Sequence, residues 1–310
     1  MIYIDTEFTE VEIPVPWGHV AGKWYGPADV RPILILHGWL DNAGSYDTLI
    51  PLLPKDRISY LAIDLPGHGF SSHIPEGMTY SHYDYLWLIH RIREIYGWPK
   101  VSLMGHSLGA VLNFLYTAIF PQDVDMIINL DGMIPMTTAD FVTKKLIANI
   151  SNTTKFMIQH LNPKSQPSYS KEELIERMIA SSYGSLSAKD CEYLLRRGIK
   201  GSESKPNKFI LTSDSRLKSL HVISLSQECY DILLQGINCP ILNINSDTKQ
   251  TAFSKQNISE KSIEDMKKKN PNFQNHKVSG KHHVHLSHPE RVSGLITEFV
   301  LKYRSVKSKM

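Results

Sequence analysis

The chain has 310 residues, of which 42% are hydrophobic and 21% are charged, as expected of a soluble globular protein with a sizeable core. Its net charge of +3 is unevenly divided, with −8 on residues 1–132 and +11 on the remainder. Because aromatic residues are not interleaved with the lysines of the basic part, the charge favours a solvated surface and argues against a nucleic-acid partner.

The N-terminal residues and the cysteines indicate the compartment. Met1 to Glu12 carries four acidic side chains and no apolar run, so we expect no secretory signal and no secretion. The three cysteines are odd in number and form no C-x-x-C pair, which favours reduced thiols inside a cell. They are Cys191, Cys229 and Cys239.

Apolar runs recur along the first half of the chain and predict buried strands. Pro32–Leu36 and Ile58–Asp64 are nearly continuous runs, as in parallel strands that are covered on both faces. Further strands are predicted at Val101–Met104 and around Met126, and helical segments separate the strands. This alternation predicts an α/β fold with a mostly parallel, doubly wound sheet.

The uncharged stretch Val101–Phe120 has the length of a membrane span, but Gly-His-Ser-Leu-Gly interrupts it. An apolar strand precedes this pentapeptide, and a helical pattern follows it until a proline. A serine at such a turn is typical of a nucleophile elbow, in which side chains at Gly105 and Gly109 would collide with the neighbouring strand and helix. Ser107 is therefore the predicted nucleophile, at a helix N-terminus that favours negative charge.

The strand Pro32–Leu36 ends in His-Gly-Trp, where α/β-hydrolases have the loop that supplies their second oxyanion donor. The backbone N–H groups of Trp39 and Leu108 are therefore the predicted oxyanion hole. The residues expected to border the substrate are His37, Gly38 and His106.

The second half of the chain predicts a helical insertion followed by the rest of the sheet. Helical patterns occur at Phe141–Leu161, Lys171–Ser181, Ala188–Arg197 and Gln227–Leu234. After them come a strand at Pro240–Ile244, a helical stretch, a strand at Phe273–Val278 and a helix from Pro289 to Tyr303. We expect a hydrolase core at 1–132 and 237–310, with a helical cap at 133–236 inserted after the sixth strand. A cap would exclude water and select the substrate, and a purely structural insertion is the alternative.

Five segments of the sequence are together similar to the serine hydrolase-like (kraken-type) proteins of the α/β-hydrolase superfamily, which include the insect kraken protein. They are PWGH, HGWLDNAGSYD, IDLPGHGFSS, GHSLG and VSGKHHVHLSHPE. The resemblance extends over nearly the whole chain. It implies an α/β-hydrolase fold, a serine nucleophile and no cofactor, and it leaves the natural substrate open.

Four histidines follow the last predicted strand, where the base of a catalytic triad is expected. The superfamily pattern G-x-H-x-x-H-x-x-x-P-E matches with His282 as its first histidine, so His282 is the predicted base and His283 the alternative. His285 and His288 are expected to be structural or solvent-facing. A metal cluster is another interpretation, but no cysteine or carboxylate accompanies these histidines at the spacing of a zinc site, so no metal is predicted.

Two aspartates are candidates for the acid, since the chain order in this fold is serine, acid, histidine. Asp247 follows the strand that most often carries the acid. Asp131 ends the strand in MIINLDGM, which is the position used in a subset of capped hydrolases, although many hydrolases keep a structural aspartate there. Asp131 is preferred because its strand ends cleanly and the resemblance implies an aspartate at this point, and Asp247 is the alternative.

These residues predict a serine hydrolase that cleaves an ester or related acyl substrate, because a serine nucleophile forms an acyl-enzyme. Carbon–carbon bond hydrolysis on the same triad and a catalytically weak ligand-binding protein are the alternatives. The expected partner is a small-molecule ester or lipid-like acyl substrate, with no cofactor and no membrane span. Ser308-Lys309-Met310 resembles the S-K-L peroxisomal signal, so a cytoplasmic location, a peroxisomal location or both are expected. A lysine-rich chain end without a targeting role is the alternative.

Overall fold

The computed structural model describes residues 8–134, 139–160, 167–248 and 260–304, so the Ser-Lys-Met sequence at 308–310 lies outside the described residues. The strands in chain order are β1 (Thr9–Val15), β2 (Gly18–Tyr25), β3 (Pro32–Leu36), β4 (Ser59–Ile63), β5 (Val101–His106), β6 (Val124–Leu130), β7 (Ile199–Gly201), β8 (Phe209–Leu211), β9 (Ile241–Ser246) and β10 (Phe273–Val278). The α-helices are α1 (His82–Ile95), α2 (Leu108–Ile119), α3 (Ala139–His160), α4 (Lys171–Ser181), α5 (Ala188–Gly198), α6 (Gln227–Gly236), α7 (Glu260–Lys269), α8 (Val284–Ser287) and α9 (Glu290–Tyr303).

Eight of these strands form one sheet in the order β1-β2-β4-β3-β5-β6-β9-β10. Strands β3, β4, β5, β6, β9 and β10 pair in parallel, and β1 and β2 extend the edge of the sheet in antiparallel pairing. The prediction of a mostly parallel sheet is therefore confirmed. The N-terminal antiparallel pair adds to the predicted strands, and Pro16 and Trp17 of the PWGH segment form the turn between them.

Both faces of the parallel strands are covered, as their continuous apolar runs require. Every residue of β3 is buried, and alternate side chains of the strand enter two different cores. Leu34 and Leu36 pack into the core that includes α1 and α2, whereas Ile33 and Ile35 pack into the core that includes α9. The sheet therefore separates two layers of helices, which is the doubly wound arrangement.

Between β6 and β9, the described residues are mostly helical, as predicted. This part of the chain contains α3, α4, α5 and α6, whose ends differ from the predicted ones by at most two residues. It also contains the short hairpin β7–β8, which the sequence does not predict because strands of three residues give no readable alternation. Ser170 and Ser187 each form a capping box with an acidic residue three positions later, which explains where α4 and α5 begin.

The state of the cysteines and the structure of the uncharged stretch at Val101–Phe120 were both predicted from the sequence. The three cysteines are free thiols. Within the described ranges, no helix combines the length and the apolar character that a bilayer crossing would require. The uncharged stretch that begins at Val101 is instead a strand, a turn and a buried helix.

Candidate active site

Ser107 lies at the turn between β5 and α2, with φ 51° and ψ −109°, a conformation that non-glycine residues rarely adopt. The glycines on either side explain how the turn is accommodated. A Cβ atom on Gly105 would lie 2.3 Å from the carbonyl carbon of Gly109, and one on Gly109 would lie 2.1 Å from the carbonyl oxygen of Leu36 in β3. The predicted steric need for glycine at both positions is therefore confirmed.

Three predicted residues from distant parts of the chain meet at this turn. The Nε2 atom of His282 lies 3.0 Å from the hydroxyl oxygen of Ser107, and the Nδ1 atom of His282 lies 2.6 Å from Oδ2 of Asp131. All three residues are buried. When Nδ1 donates its proton to the carboxylate, Nε2 is left to accept the serine proton, which is the tautomer that a general base requires.

The environment of Asp131 keeps its carboxylate ionised. Burial by itself would raise the pKa of Asp131, but the hydrogen bond and charge of His282 and the backbone N–H of Ser246 outweigh it and hold the pKa below its usual value. The Ser246 N–H donates to Oδ1 at 2.7 Å, so each carboxylate oxygen has a separate partner. Asp131 itself has φ 47°, which turns the residue out of β6 at the point where the strand ends.

The alternative acid, Asp247, and the other three histidines of the segment have different polar partners. Asp247 is exposed, and its Oδ1 accepts a hydrogen bond from the backbone N–H of Gly280 at 3.0 Å. His283 is buried with Nδ1 2.6 Å from the hydroxyl of Ser185. His285 is fully buried against the hydroxyl of Ser45, and His288 is exposed beside Glu290, in agreement with structural and solvent-facing roles.

The loop after β3 approaches the elbow from the other side. His37 is fully buried, with Nδ1 donating to the Gly38 carbonyl at 2.7 Å and Nε2 accepting from the Leu65 N–H at 2.9 Å. These bonds anchor the start of the loop to the segment that follows β4. Trp39 comes next, and its indole N–H donates to the Leu217 carbonyl at 2.9 Å. Leu108 is the first residue of α2, so its N–H lies at the helix N-terminus, where no intrahelical acceptor exists.

Two further polar residues of this region have contacts that the sequence does not reveal. His106 is almost completely buried, and its Nε2 atom donates to the backbone carbonyl of His282 at 3.0 Å, which ties the histidine loop to the elbow. Asp41 is buried beside the rings of His106 and His283. In the sequence, Asp41 is distinguished only by its place in the HGWLDN segment, because its contacts are long-range.

Comparisons with known proteins agree with this fold. A family model described as the alpha/beta hydrolase fold matches residues 31–289. A probable serine hydrolase of Drosophila melanogaster is 37% identical over 299 residues, which cover 96% of this chain and 88% of the fly protein. The human serine hydrolase-like protein 2 is 32% identical over 305 residues, which cover 94% of each chain.

Solved structures agree as well. The crystal structure of a hypothetical protein from Pseudomonas aeruginosa PAO1 superimposes with a TM-score of 0.76 at 28% sequence identity, covering 96% of this chain and 99% of the bacterial one. A thioesterase domain from the curacin biosynthetic pathway, at 18% identity and a TM-score of 0.72, shares the fold. The family model and the similarity over nearly the whole chain show that this protein belongs to the serine hydrolase-like proteins of the α/β-hydrolase superfamily.

Proposed function

We propose that this protein is a serine hydrolase that cleaves an ester or a related acyl substrate through an acyl-enzyme on Ser107. The observation that carries the proposal is the continuous contact from the Ser107 hydroxyl through the His282 ring to the Asp131 carboxylate, at 3.0 and 2.6 Å. The names of the fly and human relatives, which describe serine hydrolases, support the same reaction class.

In the proposed mechanism, His282 Nε2 takes the proton from the Ser107 hydroxyl as the oxygen attacks the carbonyl carbon. The Asp131 carboxylate stabilises the imidazolium that forms and holds the ring in place. The backbone N–H groups of Leu108 and Trp39 donate to the carbonyl oxygen as it becomes negative. His282 then protonates the leaving group, and the acyl-enzyme is hydrolysed by water that the same ring deprotonates. No step requires a cofactor.

Residues 133–236 are proposed to act as a cap over this site, with 1–132 and 237–310 as the core. Three contacts support the proposal, since each joins the insertion to a loop that carries a site residue. They are Trp39 Nε1 to the Leu217 carbonyl at 2.9 Å, Lys281 Nζ to the Gly184 carbonyl at 2.8 Å, and Ser185 Oγ to His283 Nδ1 at 2.6 Å. A segment held in this way can exclude water and restrict the acyl groups that enter.

The test is labelling with a fluorophosphonate probe, which reacts covalently with an activated serine. The wild-type protein should be labelled and should hydrolyse p-nitrophenyl esters, while Ser107→Ala should lose both and keep the wild-type circular dichroism spectrum. Ser279→Ala removes an exposed serine near the histidine loop and should label like the wild type. Labelling that persists in Ser107→Ala would exclude this nucleophile. Labelling without turnover across a series of acyl lengths would favour carbon–carbon bond hydrolysis, and absence of both would favour a binding protein.

A further inference from the structure

A cluster of polar side chains beside His282 takes no part in the proton transfers of the proposed reaction. Asp41 lies in the loop after β3, His106 at the end of β5 and His283 in the loop before α8. All three are buried. One carboxylate oxygen of Asp41 and one ring nitrogen of each histidine lie within 4.8 Å of one another. Three separate segments of the chain therefore converge through side chains of the types that bind metals, including a carboxylate from outside the histidine-rich segment.

The hydrogen bonds around the cluster leave two acceptor atoms, His106 Nδ1 and Asp41 Oδ2, facing each other. His106 Nε2 donates to the His282 carbonyl, so in the neutral ring Nδ1 carries a lone pair. This Nδ1 lies 3.6 Å from Asp41 Oδ2, which is too long for a hydrogen bond, and among the described residues neither atom has another hydrogen-bond partner. Two buried acceptors facing each other are unfavourable unless a proton or a metal ion lies between them.

Two of the three ligand spacings are close to those of a tetrahedral ion, and the third, between the two histidine nitrogens, lies within 4.8 Å. Ligand atoms at the usual zinc distances are about 3.3–3.5 Å apart in a tetrahedral site. Asp41 Oδ2 lies 3.6 Å from His106 Nδ1 and 3.4 Å from His283 Nε2. Gly38 keeps one side of the cluster open, because a Cβ atom there would lie 2.8 Å from His106 Nδ1 and 2.9 Å from Asp41 Oδ2.

The ring nitrogens that do not face Asp41 also have the contacts expected of metal-binding histidines. A histidine that binds a metal through one nitrogen usually has its other nitrogen paired with a protein oxygen, which fixes the ring orientation. His106 Nε2 is paired with the His282 carbonyl at 3.0 Å, and His283 Nδ1 with the Ser185 hydroxyl at 2.6 Å. In each ring the remaining nitrogen is the one that faces Asp41.

We propose that Asp41, His106 and His283 bind a divalent transition-metal ion of the zinc type through Oδ2, Nδ1 and Nε2. Two imidazoles and one carboxylate with an open fourth position suit this class of ion. The ion would cross-link the loop after β3, the elbow and the histidine loop, and it would bind the folded state in preference to the unfolded one, which raises the melting temperature. This site does not depend on whether Ser107 is a nucleophile.

The experiment uses full-length protein without an affinity tag, treated with a chelator and then dialysed. Titration with Co²⁺ should give the visible absorption of a tetrahedral ion, saturating at one equivalent, and Zn²⁺ should displace the Co²⁺. Isothermal titration calorimetry gives the Zn²⁺ affinity, and the melting temperature should rise with added Zn²⁺. Asp41→Asn and His283→Gln each remove a ligand, so each should weaken Zn²⁺ binding by about a hundredfold or more.

Two controls distinguish this site from metal binding at the protein surface and from loss of folding. His288→Gln changes an exposed histidine of the same segment and should leave the affinity unchanged. Asp41→Asn offers an amide donor to His106 Nδ1, so its metal-free form should melt no lower than metal-free wild type, while the increase caused by Zn²⁺ disappears. The proposal is overturned if wild-type protein binds no stoichiometric Co²⁺ or Zn²⁺, or if Asp41→Asn and His283→Gln bind as tightly as the wild type.

Discussion

At the scale of single residues, the two candidates for the catalytic acid lie at the ends of two neighbouring strands. Asp131 follows β6 and Asp247 follows β9, and these strands pair side by side in parallel. Both carboxylates therefore leave the same edge of the sheet, toward the same histidine loop. Only Asp131 has φ 47°, and its side chain points between the Ser246 N–H and the His282 ring. Asp247 is turned toward the backbone of Gly280.

Replacement of each aspartate by asparagine tests this difference. Asp131→Asn should lower kcat for an ester substrate by about ten-thousand-fold, because the amide favours the wrong tautomer of His282. Asp247→Asn should change kcat by less than about threefold, since the side chain is exposed and its bond to the Gly280 N–H can be made by an amide oxygen. Steady-state kinetics measure both effects.

Melting temperatures serve as the control for this pair, because both variants should remain folded and loss of folding must not be mistaken for loss of chemistry. The opposite ranking would assign the acid to Asp247. Equal and small effects would leave a Ser107–His282 dyad without a third member.

At the scale of elements, the elbow depends on close packing of α2 against β3. The helix begins directly after Ser107, and Gly109 in its first turn contacts the last peptide of β3. This contact brings the N-terminus of α2 to the edge of the sheet, where Leu108 is proposed to donate to the oxyanion. A side chain at Gly109 would therefore separate the helix from the strand and displace both Ser107 and Leu108.

Gly109→Ala should accordingly destabilise the protein by about 1–3 kcal/mol and abolish fluorophosphonate labelling, because the new methyl group would lie 2.1 Å from the Leu36 carbonyl oxygen. Gly294→Ala is the matched control, since Gly294 is also in a helix but has no heavy atom within 4 Å of the added Cβ. The free energy of unfolding of that variant should equal that of the wild type or exceed it by up to about 1 kcal/mol. Urea denaturation measures both, and equal stabilities would contradict the steric account.

At the scale of the whole molecule, a buried ion pair joins the insertion to the sheet. Arg197 at the end of α5 donates from Nε to Oδ2 of Asp64 at 2.9 Å, and both side chains are almost completely buried. Asp64 follows β4, and it also accepts hydrogen bonds from the backbone N–H groups of Ala43 and Phe70 at 2.8 Å. The pair therefore connects α5 with the loops that follow β3 and β4.

Arg197→Met should lower the free energy of unfolding by about 3–5 kcal/mol, because it leaves the Asp64 carboxylate buried without its cation. Arg196→Met is the control at the adjacent position. The Arg196 side chain is 61% exposed and lies 3.7 Å from Asp47, so its loss should cost less than about 1 kcal/mol. Chemical denaturation of the two variants gives the comparison, and similar losses would show that the Arg197–Asp64 pair does not hold the insertion to the core.

The sequence alone was sufficient for the features that depend on local chemistry. The strand-turn-helix around Ser107 follows from an apolar run, two glycines and a helical period that lie close together in the chain. The helices of the insertion follow in the same way from their periodicity and from serine caps such as Ser170 and Ser187. Each of these signals acts between residues that are near one another in the chain, so a single sequence contains it.

Tertiary structure decided which distant side chains meet. Asp131 and Asp247 both follow buried strands, and the sequence favours Asp131 only through the end of its strand and the family resemblance. The backbone turn at Asp131 and the contacts of the two carboxylates distinguish them. The proximity of Asp41 to His106 and His283 was hidden for the same reason, because the three residues come from separate loops. Such contacts depend on strand order and loop direction, which are set by the packing of the whole sheet rather than by local periodicity.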